Sequence, residues 1–218
     1  MQKTLALAFA LAAVAVLPAC GNSTAPDPNR GSDSFATNTR PSYLSFSDGG
    51  ANWTVAGGEL VGAGPANQSV LVRPEVDFTD GWVETVSSRA DDGGLVLRFA
   101  GPASYYLLTF RDDSAESPRD VDNLAVYHHS GAAYNQMWTG NVTWPRGTPH
   151  TVRFEAAGAK LRVYFDGQLQ GELTPGPTIN DRDPYLGPGA VGVRHFGFNA
   201  GWVTRFDRFA WHGADAER

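Results

Sequence analysis

Cysteine is almost missing from this chain: Cys20 is the one thiol in 218 residues. No internal disulfide framework can therefore staple the fold, and no paired-cysteine metal or redox motif exists. An excess of positive charge is missing too. The formal net charge is -6, which argues against a nucleic-acid partner, because phosphate recognition needs a basic face. No window of useful length carries a helical hydrophobic period, and no internal repeat recurs. The five histidines form no H-x-x-x-H or H-x-E pattern, which removes the usual zinc spacings. There is no G-x-S-x-G elbow and no phosphate loop. The sequence thus assigns no catalytic residue, no metal ligand and no cofactor. A structural calcium between Asp48 and Asp207 is the one metal arrangement that the carboxylates suggest, since the two flank the first and last strands of the folded region.

What is present begins with a targeting segment. Lys3 supplies a short positive start, and Leu5 to Leu17 is an apolar run too short to span a bilayer comfortably. It ends in Leu17-Pro18-Ala19-Cys20, which resembles a bacterial lipobox. The resemblance implies a signal peptide over 1–19, cleavage before Cys20 and lipidation of its thiol. The protein would then sit in the cell envelope as a membrane-anchored lipoprotein facing the periplasm or the cell surface. Residues 20–41 are rich in Ser, Thr, Asn, Pro and Gly, with almost no large apolar side chain, and read as a flexible tether.

The remainder, 42–213, reads as one all-β domain. Leu95, Leu97 and Phe99 alternate with Val96 and Arg98. Val152 and Phe154 alternate with Arg153, and Leu161, Val163 and Phe165 with Arg162 and Tyr164. A period of two with β-branched and aromatic residues means half-buried strands. Between them stand turn signals such as Asp91-Asp92-Gly93-Gly94 and Asp166-Gly167, the latter predicting a two-residue hairpin turn. Many short strands at regular spacing predict a two-sheet antiparallel β-sandwich of the jelly-roll type. Leu97, Phe99, Val152, Phe154, Val163 and Phe206 are the expected core.

The order of segments NWTVAGGELVG, SVLVRPEVDFTDGWVETVSSR, DDGGLVLRFAGPASYYLLTFR, HTVRFEAAGAKLRVYFDGQLQGEL and GAVGVRHFGFNAGWVTRFDRFAW resembles the concanavalin A-like lectin/glucanase superfamily. The nearest likeness is to its laminin-G-like and 3-keto-disaccharide-hydrolase-like branches. The resemblance implies a sandwich and a carbohydrate ligand. It leaves open an enzyme, a lectin or an adhesion module with a protein partner.

Two enzymatic patterns come near without being completed. PEVDFTD places Glu75, Asp77 and Asp80 close to the carboxylate pattern of laminarinase-type glucanases. Pro74 inside it, Asp80-Gly81 after it and Asp in place of the final Glu argue instead for a solvated acidic loop. In the 3-keto-disaccharide hydrolases the counterpart of Tyr105–Phe110 carries a Glu and a Gln facing the cleft. Here Leu107 and Thr109 stand at those places, so the expected acid/base group is absent. Arg98 does match that family's Leu-Arg.

Sugar binding without cleavage is therefore the expectation: rings stack on the apolar sugar face while polar groups meet the hydroxyls. Parity turns Val191 and Val193 inward, with Gly192 and Arg194 facing the other way. Adjacent His128 and His129 should likewise point to opposite faces. The candidate ligand-binding residues are Arg98, Tyr106, Trp138, Arg194, His195 and Trp202, with Tyr105 the equal of Tyr106 by alternation. Two guanidiniums on one face suit sugar hydroxyls or a uronic acid carboxylate. A monomer is expected, with a glycan and, through Cys20, a membrane as partners.

Overall fold

The computed structural model describes residues 27–47, 51–113, 123–131, 133–179, 181 and 183–214. Residues 1–19, read above as a signal peptide, and Cys20 and Asp48 lie outside these. Among the described residues no helix is long and apolar enough to cross a membrane. The strands are β1 (Arg30–Asp33), β2 (Leu44–Ser47), β3 (Asn52–Ala56), β4 (Glu59–Ala63), β5 (Ala66–Phe78), β6 (Gly81–Ser87), β7 (Arg89–Ala90), β8 (Gly93–Gly101) and β9 (Ser104–Phe110). They continue with β10 (Leu124–Ser130), β11 (Ala133–Gly140), β12 (His150–Ala157), β13 (Lys160–Phe165), β14 (Gln168–Leu173), β15 (Gly189–Gly197), β16 (Val203–Phe206) and β17 (Arg208–Gly213).

Two sheets make the sandwich. The front sheet runs β11-β10-β9-β8-β15-β5-β2 and the back sheet β1-β17-β6-β12-β13-β14, with a small third sheet, β3-β4-β16-β7, beside them. Every pairing is antiparallel, for example β8 with β9 and β12 with β6. Chain-distant strands lie side by side, β15 between β5 and β8 and β17 between β1 and β6. The core fills the gap between the sheets: Leu95, Leu97, Leu108, Val191 and Val193 from the front meet Val83, Val152, Phe154, Val163 and Phe209 from the back. The sequence expectation of an all-β sandwich is met. So is the Asp166-Gly167 turn, where both residues take left-handed φ, 47° and 75°, as a two-residue hairpin turn with strand-matched twist requires.

Three local expectations are corrected. The tether expected over 20–41 does not extend to 41: Arg30–Asp33 pairs with Phe209–His212 at the edge of the back sheet, and Phe35 is buried in the core. Gly31 is small for a reason, since a Cβ there would lie 2.6 Å from the Trp211 ring. Small polar residues suggest a linker, but here their size serves a close approach.

PEVDFTD is not a loop. Pro74 to Phe78 lie within β5, at a place where register shifts against β15 leave Pro74 without a ladder partner, as proline needs. Glu75 is exposed and paired with Arg73 at 2.5 Å. The Asp77 amide donates to Asn29 Oδ1 at 2.9 Å. Asp80 accepts from the Gly158 amide at 2.8 Å.

Phe99 is buried but not in the main core. Arg98 has a left-handed φ of 50°, and the β8–β9 register shifts between Leu97 and Gly101. The bulge inverts the alternation. Phe99 turns to the outer face of the front sheet, packing with Val72, Val96 and Tyr105, and Arg98 turns inward.

Candidate functional site

Alternation across the front sheet sends one set of side chains inward and the other to its outer face. On that outer face β9 presents Leu107 and Thr109, the positions that the family resemblance aimed at a cleft. Beside them β8 presents Gly94, and β15 presents Arg194 directly opposite Gly94. A Cβ on Gly94 would come 3.3 Å from Arg194 Cδ, so the arginine stem occupies the space the glycine leaves. Tyr127 of β10 and Tyr134 of β11 stand on one side, Phe196 and Phe198 on the other. Together with Asp92, Arg111, Leu107, Thr109 and Arg194, these four rings line a pocket of about 190 Å³.

The pocket has a defined electrostatic floor. Arg111 Nη2 donates to Asp92 Oδ2 at 2.5 Å, and Arg194 Nη1 donates to Asp92 Oδ1. One buried carboxylate thus holds two guanidiniums, each bond strengthened by charge. Arg194 also lies over the Phe196 ring, its Cζ 4.9 Å from the centroid. The residue before Asp92, Asp91, is held by a second network. Asp91 pairs with Arg89 at 2.9 Å and with Arg146, and accepts the Val203 amide at 2.7 Å. Asp112, whose carboxyl burial pushes above its usual range, accepts the Ala90 amide at 3.1 Å. The walls are likewise set by neighbours: Tyr134 shares a 2.8 Å hydroxyl contact with Tyr105 and packs against the His129 ring at 4.2 Å. Phe198, 55% exposed, meets Trp202 edge to face at 5.1 Å.

Of the residues expected at the site, Arg194 is in the pocket and Trp202 supports its wall from behind. The other four are elsewhere. Arg98 is fully buried between the sheets, donating to Thr79 O at 2.9 Å and Gly158 O at 2.6 Å and approaching Asp80 at 3.3 Å. Burial pulls its pKa down, against the pull of Asp80. Tyr106 also faces inward, and Tyr105 takes the outer position. The Tyr106 hydroxyl donates to Asp181 Oδ2 at 3.2 Å, and Asp181 Oδ1 contacts His128 Nδ1 at 2.8 Å. Burial, then the Asp181 charge, raises the Tyr106 pKa. His195 is buried between Thr204 Oγ1 and Gly64 O, each 3.1 Å away, and burial lowers its pKa, which favours the neutral ring. Trp138 faces the back sheet and covers Gly171 of β14, where a Cβ would sit 2.5 Å from the indole. His128 and His129 do point to opposite faces, His128 packing at a tilt against Tyr106 at 4.6 Å and His129 against Tyr105 at 4.8 Å.

The pocket residues absent from the sequence candidates are Asp92, Arg111, Tyr127, Tyr134, Phe196 and Phe198. Asp92 looks like turn chemistry in DDGG, and Arg111 stands just beyond a strand end. Neither carries a local signal of pairing with Arg194, which lies 102 positions from Asp92. For a metal, no group of three or more His, Cys, Asp or Glu side chains converges among the described residues. Asp207, the expected calcium partner of Asp48, is pushed up to about 6 by burial and by the adjacent Glu59 carboxyl.

No protein-family model and no curated protein matches the sequence. Solved structures do match. The carbohydrate binding module CBM66 from Bacillus subtilis superposes with a TM-score of 0.57 at 13% identity, over 79% of this chain and 92% of that one. A Bacillus subtilis protein of unknown function with a galectin-like fold gives 0.58 at 14%, over 84% and 94%. A Bacillus licheniformis beta-glucanase gives 0.53 at 11%, over 84% and 98%. With the sheet order and the inward and outward faces described above, these likenesses show the fold to be a two-sheet antiparallel jelly-roll sandwich.

Proposed function

We propose that the domain binds carbohydrate in the outer-face pocket and does not cleave it. The observation that carries this is the pocket's composition. Four rings, Tyr127, Tyr134, Phe196 and Phe198, surround a polar floor of Thr109, Arg111, Arg194 and Asp92. Rings take the apolar face of a sugar while hydroxyls find donors and acceptors. In most glycoside hydrolases two carboxyl groups flank the bond, about 5–9.5 Å apart. Asp92 is the sole carboxylate among the lining residues, and both its oxygens are engaged by arginines. That the similar folds include a carbohydrate binding module and a glucanase supports the same ligand class.

The test is a glycan panel titrated against the full chain. A glycan that binds should bind about tenfold more weakly to Phe198→Ala, whose ring is exposed and available for stacking. Release of reducing ends from the bound glycan would overturn the non-catalytic reading. An unchanged affinity in Phe198→Ala and Tyr134→Ala would move the site away from this pocket.

The proposal includes the anchor on Cys20, supported by its position at the end of the apolar run. Cys20→Ser should shift the chain from the membrane to the soluble fraction or leave it unprocessed. A variant that is cleaved and still membrane-bound would overturn the lipidation.

A further inference from the structure

We propose that the sugar this pocket selects carries a carboxylate, as a uronic acid does, and that Arg111 is the group that receives it. The inference rests on the carbohydrate reading above and narrows it.

Charge is the first observation. The pocket holds two arginines and one aspartate, so it keeps one net positive charge on a chain whose formal charge is -6. The local sign is opposite to the global one. Such a pocket attracts an anion that the rest of the surface repels.

Donor count is the second. A guanidinium carries five N–H donors in a planar fork. Arg111 commits Nη2 to Asp92, while its Nε is buried with no hydrogen-bond partner among the described residues. Its side chain is 16% exposed. An unpaired buried donor costs free energy, and a charged one costs more. Nε is closed to solvent and therefore to a ligand; a carboxylate entering the pocket would meet the outer Nη1–Nη2 edge of the guanidinium, where two parallel bonds match it better than they match a lone hydroxyl. Arg194 is less available, since its stem lies along Gly94 and its guanidinium covers Phe196.

The walls decide what bears the carboxylate. A small free anion has no use for four aromatic rings, whereas a pyranose has an apolar face that stacks on them. The volume, about 190 Å³, is below the roughly 300–1,000 Å³ of drug-sized sites. It suits one sugar residue held at its ring and its acid group.

The experiment compares oligouronates with their methyl esters, which keep the backbone and remove the charge. The full chain is titrated by calorimetry with galacturonate, glucuronate and guluronate oligomers, their esters, neutral oligosaccharides and a sulfated glycan. At low salt one free acid should bind about tenfold or more tightly than its ester, and high salt should shrink that ratio. In Arg111→Gln the ratio of acid to ester affinity should fall to about one, whatever the variant loses in absolute affinity, and its melting temperature should fall, because Asp92 then keeps Arg194 as its one remaining guanidinium. If acid and ester bind alike, or the sulfated glycan binds more tightly than every uronate, the carboxylate inference is wrong and the carbohydrate reading stands. If no glycan of any charge binds, both fall together. Should Arg111→Gln fail to fold, the ester and salt comparisons on the wild type still decide.

Discussion

Asp92→Ala is expected to destabilise the domain by about 3–5 kcal/mol, the range for removing one partner of a buried ion pair. Asp92 is itself 1% exposed and is the common acceptor of Arg111 and Arg194. Without it two guanidiniums face each other across a space that water reaches poorly. The penalty then comes from the unpaired charges that remain more than from the two hydrogen bonds that disappear. For a domain of this size roughly 2–4 °C of melting temperature goes with each kcal/mol. Asp92→Asn keeps the volume and removes the charge, so it should lose most of the same stability. If Asp92→Asn melts with the wild type, shape and not charge holds the pocket, and the electrostatic account of its floor is wrong. Chemical unfolding of the three proteins side by side measures this.

Phe154→Ala should cost a similar amount, about 3–5 kcal/mol, by a different mechanism. Phe154 is fully buried in β12, directly between Val83 of β6 and Val163 of β13. Truncation removes transfer free energy and leaves a cavity that paired strands on both sides cannot collapse into. Phe198→Ala is the internal contrast: a ring more than half exposed should cost within about 0.5 kcal/mol. That contrast also separates stability from ligand affinity, because Phe198 is a proposed stacking surface. Equal losses in the two variants would show that the assignment of inner and outer faces is mistaken.

Much of this molecule is legible one strand at a time. The alternation in KLRVYFDG, HTVRFEA and GAVGVRHF places Leu161, Val163, Val152, Phe154, Val191 and Val193 in the core, and all six are buried. It also turns Arg194 outward. These readings work because side-chain direction in a regular strand depends on position alone. The glycine and aspartate turns succeed for the same reason, as φ preference is a property of a residue and its nearest neighbours.

Alternation fails wherever that rule is interrupted or requires a distant partner. At Arg98 a single left-handed residue inverts the parity of β8, sending an arginine into the sandwich and Phe99 out of it. No alternation pattern records where a bulge will fall, because its position follows from how β8 fits β9 and β15 together. Between Tyr105 and Tyr106 the pattern is symmetric, and the tie is broken by Asp181, 75 residues beyond Tyr106, which offers the inward hydroxyl an acceptor.

An all-β sandwich, its turns and most of its core are therefore written in the order of residues, since those depend on local conformation and on the amount of apolar surface each strand must bury. The site is not written there. Folding brings Asp92, Arg111 and Arg194 from three separate segments to one point on the outer face. Electrostatic pairing acts through space, and only the strand order β9-β8-β15 makes those three residues neighbours.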